Sequence, residues 1–253
     1  MIVQRRIRKY QAPLHKYMLD GGMENKRAIS IAHRRWGKDE IALAVTFQAL
    51  IDRPATYWTC LPEFAQARKA IWSAVNPHTG LRRINEAFPE ELREATNEGE
   101  MFIRFKNGAT WQVIGSDRYN SLVGASVAGI TFSEWALANP SAWGYISPML
   151  RENNGWAMFV TTPRGKNHAY EMYNYGLKTD GWFSEISNVV DTGAFAEAQL
   201  DEIRAEYVAL YGGDFGAAQF EQEYMCSFEA AILGSFYGTE LSVARSEGRI
   251  CEV

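Results

Sequence analysis

The chain has 253 residues, 47% hydrophobic and 22% charged, with 26 Lys+Arg against 30 Asp+Glu. That composition excludes a disordered chain, a collagen-like repeat and a disulfide scaffold, and the length allows one large α/β domain, or a main domain with a small satellite, around a sizeable core. The net charge of −4 does not mark a nucleic-acid binder, yet it hides an asymmetry: residues 1–40 carry 10 basic and 4 acidic side chains, whereas residues from 191 onward carry 12 acids and 3 bases. Phosphate chemistry is therefore to be sought first at the N-terminal end. Cys60, Cys226 and Cys251 are odd in number and scattered, which points to a reducing cytosol. No apolar run reaches the length of a membrane span, and His15, His33, His78 and His168 do not stand with the cysteines at zinc-ligand spacing.

In chain order, a short helix is expected over 10–19, ahead of the Gly21–Gly22 break, then a strand over 27–32 (R-A-I-S-I-A). After a polar loop comes a helix over 39–51 that is apolar over most of its surface and so belongs inside. A strand over 55–61 (A-T-Y-W-T-C-L) leads into a helix over 63–75. Runs 101–105 and 110–114 flank Asn107–Gly108, the strongest short-range hairpin signal. Core strands follow at 127–132 (V-A-G-I-T-F) and 156–161 (W-A-M-F-V-T), with an edge strand at 182–186. Past Asp191, helices over 194–210, capped by Thr192, and over 216–225 stand either side of Gly212–Gly213 as an acidic subdomain on the sheet. Short apolar strands alternating with helical patterns predict βαβ units and a mostly parallel sheet. The organisation expected is a core over 1–190, a lid or linker over 191–237 and a tail over 238–253.

The loop after the first strand reads Ala32-His33-Arg34-Arg35-Trp36-Gly37-Lys38-Asp39. A P-loop needs a strand, a loop whose backbone N–H groups surround phosphates, a lysine for the β/γ oxygens and a helix N-terminus aimed at the anion. All are present in order, with Ala32 where the first glycine is expected and Asp39 where Ser or Thr is expected. A basic surface loop ahead of a core helix would give the same residues. However, positive side chains at a helix N-terminus oppose its dipole, and a bound anion removes that conflict.

Hydrolysis also needs a carboxylate at the end of a neighbouring core strand. The strand G-I-T-F-S-E ends in Ser133–Glu134 where an Asp–Glu pair is usual. The two departures are complementary: Asp39 would supply the carboxylate and Ser133 the hydroxyl to the Mg²⁺ shell, and Mg²⁺ accepts either hard oxygen.

Together these motifs resemble the large terminase subunit of tailed bacteriophages, specifically its N-terminal packaging ATPase domain, over about residues 8–237. Tyr10-Gln11 resembles the family's adenine-reading glutamine motif. H-R-R-W-G-K-D resembles its deviant P-loop, with Arg34 in the second place. Y-W-T-C-L-P-E-F-A-Q-A resembles the segment after the second strand, and G-I-T-F-S-E-W-A the second-strand motif in its Ser-Glu form. F-V-T-T-P-R-G-K resembles the coupling motif, and F-E-Q-E-Y the end of the lid.

The resemblance implies an α/β fold, a RecA-like P-loop NTPase of the ASCE type, with a mostly parallel central sheet flanked by helices and a small C-terminal helical lid. It implies ATP and Mg²⁺ as cofactors, and ATP hydrolysis coupled to moving double-stranded DNA into a procapsid. Implied partners are the portal protein, the small terminase subunit and further copies in a ring on the procapsid, from a monomer in isolation, in the host cytoplasm and with no membrane.

By the same resemblance, Lys38 holds the β/γ phosphates, Glu134 is the catalytic carboxylate and Arg34 stabilises transition-state charge. Gln11 reads adenine, and the loop His33, Arg34, Arg35, Trp36, Gly37, Lys38 and Asp39 binds ATP. Asp39 and Ser133 face the metal, and Thr161 and Thr162 couple phosphate release to the lid. Arg118 in S-D-R-Y-N-S is the candidate for an arginine offered to a neighbour. The family's nuclease domain has no counterpart in the residues after Phe236, so no DNA cleavage is expected of this chain. A helicase-like translocase and a non-hydrolysing nucleotide-binding module remain alternatives.

Overall fold

The computed structural model describes residues 7–122, 124–229, 244 and 247–249. The expected tail over 238–253, Cys251 and the last residues of the expected lid lie almost wholly outside them.

A 3₁₀ turn, Lys9–Gln11, runs into α1 (Ala12–Leu19). The core continues with β1 (Arg27–Ala32), α2 (Lys38–Asp52), β2 (Thr56–Leu61), α3 (Phe64–Ala67), α4 (Arg83–Ala87), β3 (Arg93–Asn97), β4 (Phe102–Phe105) and β5 (Thr110–Gly115). Then come β6 (Val127–Ser133), α5 (Ser141–Glu152), β7 (Trp156–Thr161), α6 (His168–Leu177) and β8 (Trp182–Ser187). Among the described residues the last elements are α7 (Val189–Thr192), α8 (Glu197–Tyr211) and α9 (Gly213–Glu223).

Among the described residues the eight strands form one sheet in the order β3-β4-β5-β2-β6-β7-β1-β8. Pairing is parallel from β5 through β8 and antiparallel only along β3-β4-β5. The expected hairpin is β4-β5, turning at Asn107–Gly108, and the expected edge strand is β8. One arrangement differs from the expectation: the strand carrying Glu134 is not beside the phosphate-loop strand, because β7 lies between β6 and β1.

The central strands are apolar on both faces because both faces are covered. Ala28, Ala32, Met158 and Val160 join α1, α2 and α4 in one core cluster. Ile29, Ile31, Ala157 and Phe159, one residue out of step, join α5 and α6 in the other. This period of two is what a strand between two layers dictates. Gly129 of β6 is required by a close approach: an added Cβ would stand 2.2 Å from the Trp156 indole of β7. Beneath the end of β6, Phe132 stacks on Phe159 at 5.0 Å, and Trp135 meets the same ring edge-on at 5.0 Å. Such pairs contribute about 1 kcal/mol each beyond their buried area.

The helix expected over 63–75 is shorter: α3 gives way to a π-helical turn, Arg68–Trp72. Thr192 does not cap the long helix that follows. It ends α7, whose cap is the Asn188 side chain, and α8 starts at Glu197 with Gln199 Oε1 accepting from Ala196 N at 3.0 Å. α8 and α9 pack on each other around Phe220 and Tyr224, with Leu200, Ile203 and Tyr207 alongside. Among the described residues no helix is long and apolar enough to cross a membrane.

Candidate nucleotide-binding site

The parallel strands end on one side of the sheet, and the loop after β1 sits there, at the rim where open α/β sheets bind ligands. Gly37 supports the loop through a left-handed backbone (φ 91°) directly before α2. A Cβ there would lie 2.8 Å from an Arg8 guanidinium nitrogen and 2.9 Å from Gln11 Nε2. Arg35 is left-handed as well (φ 68°), a conformation that costs a side-chain-bearing residue about 1 kcal/mol or more.

Lys38 opens α2 and is buried, 9% exposed. Its Nζ donates to Thr162 Oγ1 at 2.7 Å and to the carbonyl oxygens of His33 and Ala32 at 3.4 and 3.5 Å. It stands 3.7 Å from Glu134 Oε1. Thr162 Oγ1 donates in turn to Ala32 O at 3.1 Å. The ends of β1, β7 and β6 thus meet at one ammonium. Glu134 leaves β6 with φ 55° and ψ 46°, backbone strain of the kind that collects at functional sites. Thr161 faces the other way. Its Oγ1 accepts from Ala136 N at 3.0 Å, which braces the turn just past Glu134.

Asp39 Oδ1 accepts from Ser133 Oγ at 2.7 Å, so the two residues expected to trade roles touch each other. Asp39 Oδ2 lies 3.3 Å from a guanidinium nitrogen of Arg83. Gln11 is buried against the loop: Nε2 donates to Trp36 O at 3.0 Å and Gly37 O at 3.3 Å, and Oε1 accepts from Arg8 N at 3.1 Å. Arg8 donates to Trp36 O at 2.8 Å. Between this N-terminal segment and the chain at 76–83 opens a cavity of about 430 Å³, whose lining includes Gln11, Arg35, Gly37, Glu40, His78 and Arg83.

Two loop side chains turn inward. The Trp36 indole is buried and donates to Ser187 Oγ at 2.8 Å. His33 is buried with Nδ1 2.6 Å from Arg34 O and Nε2 2.8 Å from Thr192 Oγ1. Burial, with the charges of Lys38 and Arg8, pushes its pKa down to about 4 against the pull of the Arg34 carbonyl. Both residues shape the loop from behind.

Arg34 is exposed and pairs with Glu223 Oε2 at 3.5 Å, while its N–H donates to Glu223 O at 2.9 Å. Glu223 is itself buried and also holds Arg164 of the loop after β7; beside it Gly165 N donates to Gln222 Oε1 at 3.3 Å. Arg118 stands at the end of β5, two strands across from β6, over the Phe64 ring at 4.9 Å and 3.9 Å from Asp117 Oδ2. Sequence reading assigned Arg83 no role, named Thr192 only as a helix cap, and held Gln222 and Glu223 only as part of F-E-Q-E-Y. For the last two the available signal was polar residues inside the aromatic run Phe220–Tyr224; for Arg83 there was none.

A phosphate-type loop, a buried lysine and a carboxylate on a strand one removed describe a nucleotide-binding α/β fold of the P-loop class. The family model for the terminase large subunit, T4likevirus-type, N-terminal, matches residues 30–243. The large subunit of terminase from Thermus phage G20c is 28% identical over 243 residues, covering 86% of this chain and 49% of that protein. The large terminase ATPase domain of Thermus phage P74-26 superposes with a TM-score of 0.68 at 22% identity, covering 90% of this chain and 96% of that one. The large terminase of a thermophilic bacteriophage in complex with ADP gives a TM-score of 0.64 at 15% identity over 88% of this chain and 54% of that one. The chain belongs to the terminase large subunit family, N-terminal region, and its fold is the RecA-like fold of those ATPase domains. It spans about half the length of the relatives it matches in sequence.

Proposed function

We propose that this chain is the ATP-hydrolysing motor domain of a phage DNA-packaging terminase, coupling hydrolysis to the translocation of double-stranded DNA into a procapsid. The observation that carries the reading is the buried Lys38 ammonium, held 2.7 Å from Thr162 and 3.7 Å from the Glu134 carboxylate at the ends of three strands. An ammonium set beside the N-terminus of a helix at the rim of a parallel sheet is the arrangement that a polyphosphate fits. The solved ADP complex of a terminase of the same fold supports the choice of nucleotide.

In this reading Lys38 and the loop N–H groups bind the β and γ phosphates. Glu134 takes the proton of the attacking water, and Arg34 faces the developing charge. Gln11 and the cavity beside it take the base. Thr162, bonded to Lys38, registers the loss of the terminal phosphate, and Thr161 relays it at the turn past Glu134. Arg118 is offered to a neighbouring copy in a ring assembled with the portal protein and the small terminase subunit.

The residues present fit a Mg²⁺ ion. Asp39 and Ser133 offer hard oxygens already in contact, and Mg²⁺ at a nucleotide needs one or two protein ligands, its remaining positions going to phosphate and water. There it would neutralise charge on the phosphate oxygens.

The test is Mg²⁺-dependent ATP turnover beside equilibrium ATP binding. Lys38→Ala is expected to lose both. Glu134→Gln is expected to keep binding and to lose turnover by at least about a hundredfold, the usual scale for a positioned acid or base. Binding without any turnover in the unmodified chain, with or without DNA, would make it a non-hydrolysing nucleotide-binding assembly module instead.

A further inference from the structure

An aspartate where a P-loop carries a hydroxyl adds a full negative charge at the spot where a polyphosphate has to dock. Its compensation comes from a part of the chain no motif predicted. Arg83 places one guanidinium nitrogen 3.3 Å from Asp39 Oδ2 and its Nε 3.6 Å from Glu40 Oε1. The nitrogen that meets Asp39, Nη1, also donates to Ala70 O at 3.4 Å. The segment presenting Arg83 is firmly built. Glu86, 7% exposed, accepts from Asn76 Nδ2 at 3.1 Å and from Thr79 Oγ1 at 2.5 Å, and Arg83 N donates to Ala74 O at 2.8 Å. Arg83 also lines the cavity beside Gly37 and Gln11. It therefore has the Asp39 carboxylate on one side and the nucleotide space on the other.

We propose that Arg83 is a resident counter-cation for Asp39. It neutralises the carboxylate while no metal is bound and yields it, by competition, to the divalent cation that arrives with the nucleotide. The inference rests on the reading of Asp39 and Ser133 as the metal side of an ATP site. A guanidinium and a divalent cation repel each other and want the same oxygens, so each weakens the other's hold on Asp39 by one coupling factor. Arg83 acts here as a positioning residue, through Asp39.

The test is Mn²⁺ binding, read from the electron paramagnetic resonance of the free ion, to the whole chain with and without ADP. Arg83→Gln should tighten Mn²⁺ about fivefold, the scale of a half-exposed ion pair. Arg83→Lys, which keeps the charge, should stay near the unmodified chain, and the gain from Arg83→Gln should vanish in an Asp39→Asn background. Arg83→Leu serves as a second neutral variant, with thermal unfolding reporting that each is folded. Mn²⁺ affinity unchanged or weakened in both neutral variants, or a gain that persists without the Asp39 charge, overturns the proposal. Binding of a fluorescent ADP analogue to the unmodified chain, measured separately, tells a failure of the nucleotide reading from a failure of the role given to Arg83, since the Mn²⁺ titration without ADP reads Arg83 alone.

Discussion

His33 is the first residue past β1, and its ring joins two segments far apart in sequence. A carbonyl oxygen can only accept, so the proton sits on Nδ1 and goes to Arg34 O, leaving Nε2 to face the Thr192 hydroxyl. A neutral imidazole thereby ties the phosphate loop to the end of α7. Protonation would put a buried charge beside Lys38 and Arg8, which is why the pKa falls from 6.5 to about 4. As pH drops, the unfolded chain takes this proton first. The contribution of His33 is therefore complete above about pH 6.5 and is lost as pH falls through about 4. His33→Asn keeps an N–H for Arg34 O and removes the titration. Urea midpoints at about pH 7.5 and about pH 4.5 should then fall further in the unmodified chain than in the variant; equal falls would place the acid sensitivity elsewhere.

Among elements, α9 reaches both the phosphate loop and the loop after β7. Its last residue, Glu223, holds Arg34 of the phosphate loop and Arg164 of the loop after β7, so both loops share one buried carboxylate. Glu223→Gln leaves two arginines without their anion and is expected to cost about 2 kcal/mol in denaturant unfolding, with faster amide exchange in α9. Stability within a few tenths of a kcal/mol, with exchange unchanged, would show the latch to be idle. The central strands were legible in the sequence because burial on both faces writes continuous apolar runs, R-A-I-S-I-A and W-A-M-F-V-T. β3 was not, since R-E-A-T-N is an exposed edge with no apolar pattern. α5 was obscured by Gly144 and by Pro148 inside it, and α4 is only five residues long. Lys38 and Glu134 could be nominated because one opens the helix after a core strand and the other directly follows one. That Arg83 would meet Asp39, or Glu223 meet Arg34, depends on contacts across 44 and 189 positions of chain that no local pattern encodes.

At the scale of the molecule, two apolar layers press on one sheet, and the Cys60 and Cys226 thiols lie within that packing. Burial pushes the Cys60 thiol far above its ordinary range and Cys226 up to about 12. Both should react with a thiol reagent only as fast as the fold opens, so their labelling rate should track global unfolding across denaturant; fast labelling of either in the native chain would show a looser core. The placing of β7 reaches further. It sets β1 and β6 two strand spacings apart, about 9.6 Å, and those spacings are backbone hydrogen bonds. The sheet is in effect a ruler laid under the candidate site, with divisions that no substitution in the loop can redraw. What remains adjustable is side-chain length. The long lysine rising from one mark and the glutamate bending back from another by its left-handed turn are the combination that closes the gap, with Thr162 standing on the mark between them.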